Sequence, residues 1–173
     1  MPTSNFPAEY FQLMSDYNRW MNDKLYASCA TLSDEERKRD RGAFFRSIHS
    51  TLNHLLWGDS VWLARFTERG RPSGKAGEDM HPGFDDLRAA RAVLDDDIAR
   101  WATSVTPDWL AGEITWTSGI DGKTRRRPAW VCAVHMFNHQ THHRGQVTAL
   151  MKQAGVDPGV TDLPALPRFA ELD

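Results

Sequence analysis

A chain of 173 residues with 40% hydrophobic and 25% charged residues has the size and composition of one globular domain with a sizeable core. Its net charge of −2 supplies no general basic face for displacing counterions, which argues against a nucleic-acid binder or a binder of anionic membranes. No apolar run reaches the roughly 18–20 residues that a spanning helix needs. The start MPTSNFPAEYFQ lacks a basic segment followed by an apolar one, and Cys29 and Cys132 match no Cys-x-x-Cys pattern, so the expectation is a cytoplasmic protein with two free thiols.

Residues 7–29 predict a first helix, with Tyr10, Phe11, Met14, Tyr17, Met21 and Leu25 at helical spacing. Ser4 or Asn5 offers a cap and Pro7 suits the first turn. TLSDEERKRDRG reads as a solvated connector with a turn of helix from Ser33. Residues 43–67 predict a second helix, in which Phe45, Ile48, Leu52, Leu55, Trp62, Leu63 and Phe66 share one broad stripe. ERGRPSGKAGEDMHPG is rich in Gly and Pro and reads as a long loop. Residues 84–105 predict a third helix through Phe84, Leu87, Leu94, Ile98, Trp101 and Val105, and Pro107 stops it.

Between residues 111 and 127, EITWTS alternates in character, GIDGK supplies turn chemistry and TRRR follows, which predicts a small hairpin. The run Arg125, Arg126, Arg127 reads as a solvated loop. Residues 129–153 return to helix, opened by Pro128 and closed near Gly155. The tail from Val156 holds three prolines and reads as irregular. The expected fold is all-α: one domain over residues 1–173, an antiparallel four-helix bundle with its core at about 7–155, a hairpin inserted before the last helix, and a tail over 156–173.

The stretch HMFNHQTHHRGQ, residues 135–146, holds four of the seven histidines. The apolar residues of its helix gather at the two ends, at Trp130, Val131, Val134 and Phe137 and at Val147, Leu150 and Met151. The polar middle must be exposed, or it must bury polar groups that have partners. Histidines on a metal ion are one solution, and hydrogen-bonded, partly exposed histidines are another. Residues four apart on a helix have Cβ atoms about 5–6 Å apart, so His135–His139 and His139–His143 can each converge on one ion, as can His139–His142 at three apart. Seven histidines scattered over the chain would give on the order of 0.3 four-apart pairs, so two overlapping pairs carry information. His135 and His143 lie about 12 Å apart along the axis, too far to share an ion easily, and His142 points away from His143.

A catalytic zinc site takes three protein ligands plus water, so a third histidine should come from a facing helix. The second helix offers His49 and His54. His54 is favoured because its face carries Thr51, Gly58 and Val61, which leave room. His81, in EDMHPG, reads as a loop residue. The peptidase pattern His-Glu-x-x-His is absent.

TLNHLLWGDSVWLARF in the second helix and HMFNHQTHHRGQVTALMKQAG in the last together resemble the DinB family, also called the DinB/YfiT-like metalloproteins. The more specific part is His-x-x-x-His-Arg-Gly-Gln followed by an apolar run ending in Gly, and the resemblance covers roughly residues 7–155. It implies a four-helix bundle, often a homodimer, and one divalent ion, zinc or nickel, held by three histidines. Carried over residue by residue, these are His54, His139 and His143. His135 and His142 fall outside the family's ligand set. Some relatives are thiol-dependent S-transferases or isomerases that use a low-molecular-weight thiol such as bacillithiol or mycothiol, and the family name comes from DNA-damage-induced expression.

An ion on three neutral imidazoles keeps an open position and its charge of +2, which favours a thiolate or hydroxide at neutral pH. The leading expectation is an enzyme that activates a low-molecular-weight thiol for attack on an electrophile, in stress response or detoxification. A hydrolase would use the same ligands, and a stress-induced, non-catalytic metal-binding protein would use the ion only to clamp two helices. DNA binding lacks both a basic face and a recognition motif. Asn18, Asp59, Asn138 and Gln146 are candidates for hydrogen bonding the ligand rings from behind. The spacing of Asp59, five residues after His54, favours a solvent-facing or helix-bonded carboxylate. Trp57, Trp116 and Trp130 are either core or the wall of a pocket.

Overall fold

The computed structural model describes residues 8–70, 72–119 and 121–172. The proposed cap at Ser4 or Asn5 and the first-turn Pro7 lie outside these residues. Four long helices dominate: α1 (Ala8–Cys29), α3 (Ile48–Phe66), α4 (Phe84–Ser104) and α6 (Ala129–Gln153). Two short ones, α2 (Asp34–Lys38) and α5 (Pro107–Ala111), lie in the connections, and an antiparallel pair, β1 (Glu113–Thr117) and β2 (Thr124–Pro128), precedes α6. The chain is mostly helical, with α1 packed on α4 and α6, and α3 packed on the same two helices.

Local chemistry sets the boundaries. Ser33 caps α2 by accepting from the Glu36 N–H, as its position before an acidic turn predicts. The second long helix starts at Ile48, later than the expected 43. The hydroxyl of Ser47 accepts the Ser50 N–H at 3.0 Å and fixes the start there, while Arg46 at φ +67° and a bridge between Ala43 and Arg46 turn the chain just before it. Phe45 is therefore outside the helix whose apolar stripe it seemed to begin. The third long helix ends at Ser104, and Pro107 opens α5 where a plain stop was expected. Thr106 caps α5 through the Trp109 N–H at 3.1 Å, and the missing N–H of proline costs nothing at a first turn.

The hairpin pairs Glu113 with Pro128 through Thr117 with Thr124, so the arginine run lies in a strand rather than in a loop. The tail carries two 3-10 turns, Leu163–Ala165 and Pro167–Leu172. The core is filled by Phe11, Leu25, Ile48, Leu52, Leu87 and Ile98 among others, each at most 1% exposed. Fully burying such a side chain is worth about 1.5–3 kcal/mol. No described helix is long and apolar enough to cross a membrane.

The inward face of α6 runs unbroken through Cys132, Met136, Gln140, His143, Val147 and Met151, all buried. Its central turn is thus polar and still faces inward. Opposite that turn, α3 also buries two polar groups, His54 and Asp59.

Candidate metal centre

Helix α3 carries His54, and helix α6 carries His139 and His143 one turn apart. The packing of the two helices brings all three rings together. His54 and His143 are 7% and 8% exposed, and one ring nitrogen from each of the three residues lies within 4.8 Å of the others. The rings stand 5.1, 4.5 and 4.4 Å apart between centroids. Nε2 of His54 and Nε2 of His139 share a hydrogen bond at 3.1 Å. Zn–N bonds of 2.0–2.1 Å in a tetrahedral site put nitrogens about 3.3 Å apart, so this spacing fits an ion in place of the shared proton. Nδ1 of His143 donates to Oε1 of Gln146 at 2.7 Å, which fixes that ring and turns its Nε2 the other way.

Burial, joined by the neighbouring imidazoles, pushes His54 down to about 4 and His139 to about 3, and His143 is also lowered, mainly by burial. All three are neutral at pH 7 and need lose no proton to bind a cation. The group could hold a metal ion. Two further residues shape it. A Cβ on Gly58 would stand 2.7 Å from Cε1 of His139, so only glycine lets that ring approach α3. Phe45 stacks on the His54 ring at 3.9 Å and 20°, and meets His143 edge-on at 5.5 Å.

The model of the DinB family matches residues 1–172 of the chain. The chain belongs to the DinB family. It is similar to Protein DinB of Bacillus subtilis strain 168, at 24% identity over 162 residues, which covers 85% of this chain and 87% of that protein. Its fold is similar to the crystal structure of a DinB-like protein from Bacillus cereus ATCC 10987, with a TM-score of 0.63 at 20% identity, covering 82% of this chain and 91% of that one.

Within this DinB-family chain the remaining candidates separate. Of the four expected hydrogen-bond partners, Gln146 alone touches one of the three converging histidine rings. Asp59 is instead 1% exposed and pairs with Arg91 of α4 at 2.7 Å, because five residues of helix rotate it about 140° from His54. Arg91 also meets Asp95 at 2.9 Å, and Asp95 accepts from Asn18 at 2.9 Å and Asn22 at 3.0 Å. Arg144 donates to the Asn18 amide oxygen, so Asn18 is likewise committed to this second, ionic cluster. Asn138 is exposed.

His49 is fully buried, with its Nε2 hydrogen bonded to the carbonyl of His81 at 2.9 Å, and it ties the loop after α3 to that helix. His142 is exposed and lies against Gln146 at 3.3 Å. Cys29 and Cys132 are free and buried, and burial pushes Cys29 up to about 12 and raises Cys132, so neither is a reactive thiolate.

A cavity of about 520 Å³ opens beside the histidines, with His135 and His139 in its wall. Trp57 and Trp116 line it, as does Trp62, which the apolar stripe of α3 had assigned to the core. Trp130 stands outside the lining. Phe45 and Trp62 were missed because an apolar residue near a helix looks the same in sequence whether it packs on a core or on a site. Gly58 gave a usable signal, a helical glycine on the same face as His54.

Proposed function

We propose that this chain is a metal-dependent enzyme that activates a low-molecular-weight thiol for transfer to an electrophile, with His54, His139 and His143 as the ligands of one divalent ion. The observation that carries the reading is the convergence of three neutral imidazoles, one of them also in the wall of a 520 Å³ cavity. Sites that only clamp helices are closed, whereas catalytic ones keep a position facing a cavity. When bound, the ion supplies Lewis-acid chemistry that lowers the pKa of a thiol.

The residues of the chain account for the rest. Gln146 orients His143, Phe45 and Gly58 hold His54 and His139 in place, and the tryptophans exclude water. His135 lines the same cavity with its ring 6.0 Å from that of His139, and burial and Arg65 lower its pKa, so it is neutral and placed to take the thiol proton. The sulfur then forms a bond to the electrophilic carbon as the leaving group departs with its electron pair.

Within the same reading the ion is zinc or nickel. The four long helices form an antiparallel bundle, and the protein acts in the cytoplasm as a homodimer, in stress response or detoxification, without nucleic acid or membrane. Family membership is the support for these finer points. The first test is elemental analysis of protein purified without a His-tag, then a screen of thiols against electrophiles. About one ion per chain and turnover above a His143→Ala control are expected. No ion after soaking in zinc and nickel, or no turnover above that control, would sink the reading, and ester cleavage without a thiol would replace it with the hydrolase.

A further inference from the structure

The cavity has a floor with an order to it. Gly58, Val61, Trp62 and Arg65 all line it, and their spacing of three, one and three residues places them along one face of α3. At one end of this face Gly58 abuts His139. At the other, seven residues or about 10 Å along the axis, stands Arg65. Its guanidinium lies over the Trp62 ring at 4.4 Å and the Trp116 ring at 5.1 Å, so the charge is fixed against an aromatic wall. Lys75, from the loop after α3, joins the lining, as does Arg125, which Asp121 pairs through both carboxylate oxygens at 2.8 Å. Among the described residues no acidic side chain lines the cavity, although the chain as a whole carries a net charge of −2.

We infer that this cavity binds a flat organic anion, with its apolar body against the wall of Trp57, Trp62 and Trp116, its anionic group at Arg65, and its other end at His139. The tryptophan faces select a planar body, since stacking and apolar burial need no hydrogen bonds there. A cation at the far end of an apolar wall, in a lining without a carboxylate, favours a carboxylate or sulfonate over a neutral group of the same shape. The inference names the substrate class of the proposed transferase, and it rests on that reading only for what happens at the histidine end.

The test uses the full chain, metal-free and metal-loaded, with 2-naphthoate as probe and 2-naphthamide and acetate as controls, followed by calorimetry and tryptophan fluorescence. Naphthoate should bind both forms about tenfold more tightly than naphthamide, with acetate weaker than either. Arg65→Gln should weaken naphthoate about fivefold and leave naphthamide unchanged, and added salt should weaken naphthoate alone. Trp116→Ala should weaken both aromatic probes. Equal binding of naphthoate and naphthamide would overturn the inference. So would naphthoate binding that needs the ion and ignores the Arg65 variant, since the carboxylate would then sit on the metal. Naphthoate binding by an ion-free His54→Ala variant supports this site by itself, and metal content separately decides the ligand reading.

Discussion

The two buried polar regions of this protein differ in how their charges are balanced. Around Arg91, the carboxylates of Asp59 and Asp95 face two guanidinium groups, Arg91 and Arg144, and Asn18 and Asn22 donate to Asp95, while Asp59 Oδ1 and Arg91 Nε are buried without a hydrogen-bond partner. Burial raises Asp59 to about 6 against the pull of Arg91, which holds it down. This cluster carries its own counter-charges. Around His54 there is none: three imidazoles meet, and Nδ1 of His54 and Nδ1 of His139 are buried without a hydrogen-bond partner. A polar cluster that matches its own charges serves packing and specificity. One that remains electron-rich and unmatched is suited to an external cation.

The sharpest way to break the comparison is to remove a charge from the closed cluster. Arg91→Met leaves two buried carboxylates facing one guanidinium and should cost about 3–5 kcal/mol in urea unfolding, while metal binding by the folded fraction is unchanged. A cost under about 1 kcal/mol would show that the network is not closed as described.

The converse cut acts on binding. His54→Ala, His139→Ala or His143→Ala should lower metal affinity by at least about 100-fold by calorimetry, with metal-free stability moved by no more than about 1 kcal/mol. Retained affinity in all three would assign the ion elsewhere.

Smaller cuts sharpen the picture. Gly58→Ala should weaken metal binding about tenfold by displacing His139, although alanine favours a helix by about 1 kcal/mol. Gln146→Ala should cost a similar factor, because the His143 ring loses its orienting acceptor. An unchanged affinity in either variant would remove that residue from the site.

The remaining expected effect is on pH. His54 and His139 titrate near 4 and 3 in the folded chain and near 6.5 when unfolded. As pH falls below about 6.5, the unfolded chain takes up protons that the folded chain does not, so stability present above that pH is lost toward pH 4. The metal-free protein should melt several degrees lower at pH 4.5 than at pH 7, and His54→Ala should show a smaller drop. Parallel melting curves would show that these rings are not the source.

The local structure was legible from the chain. The ends of α6 and the hairpin fell where Pro128, the alternation in EITWTS and the turn residues placed them, and the cap at Ser33 was readable from one hydroxyl before an acidic run. Spacing along one helix narrowed the candidates to His139 with His135, His142 or His143, the room beside His54 favoured it over His49, and the resemblance to the DinB family implied the set of three. The start of α3 was not legible, since the apolar spacing at Phe45 outlasts the helix and the cap at Ser47 decides the boundary.

What the sequence determined by itself is the set of helices, the inward stripe of each and the polar break in α6, all of which follow from residue type and a period of 3.6. Tertiary structure alone decided which polar group answers which. Rotation of α3 sends His54 toward α6 and Asp59 toward α4, Phe45 folds back over the His54 ring, and Arg65 lands against two tryptophans from different elements. These pairings depend on how helices are turned against one another, and that is fixed by the packing of the whole core.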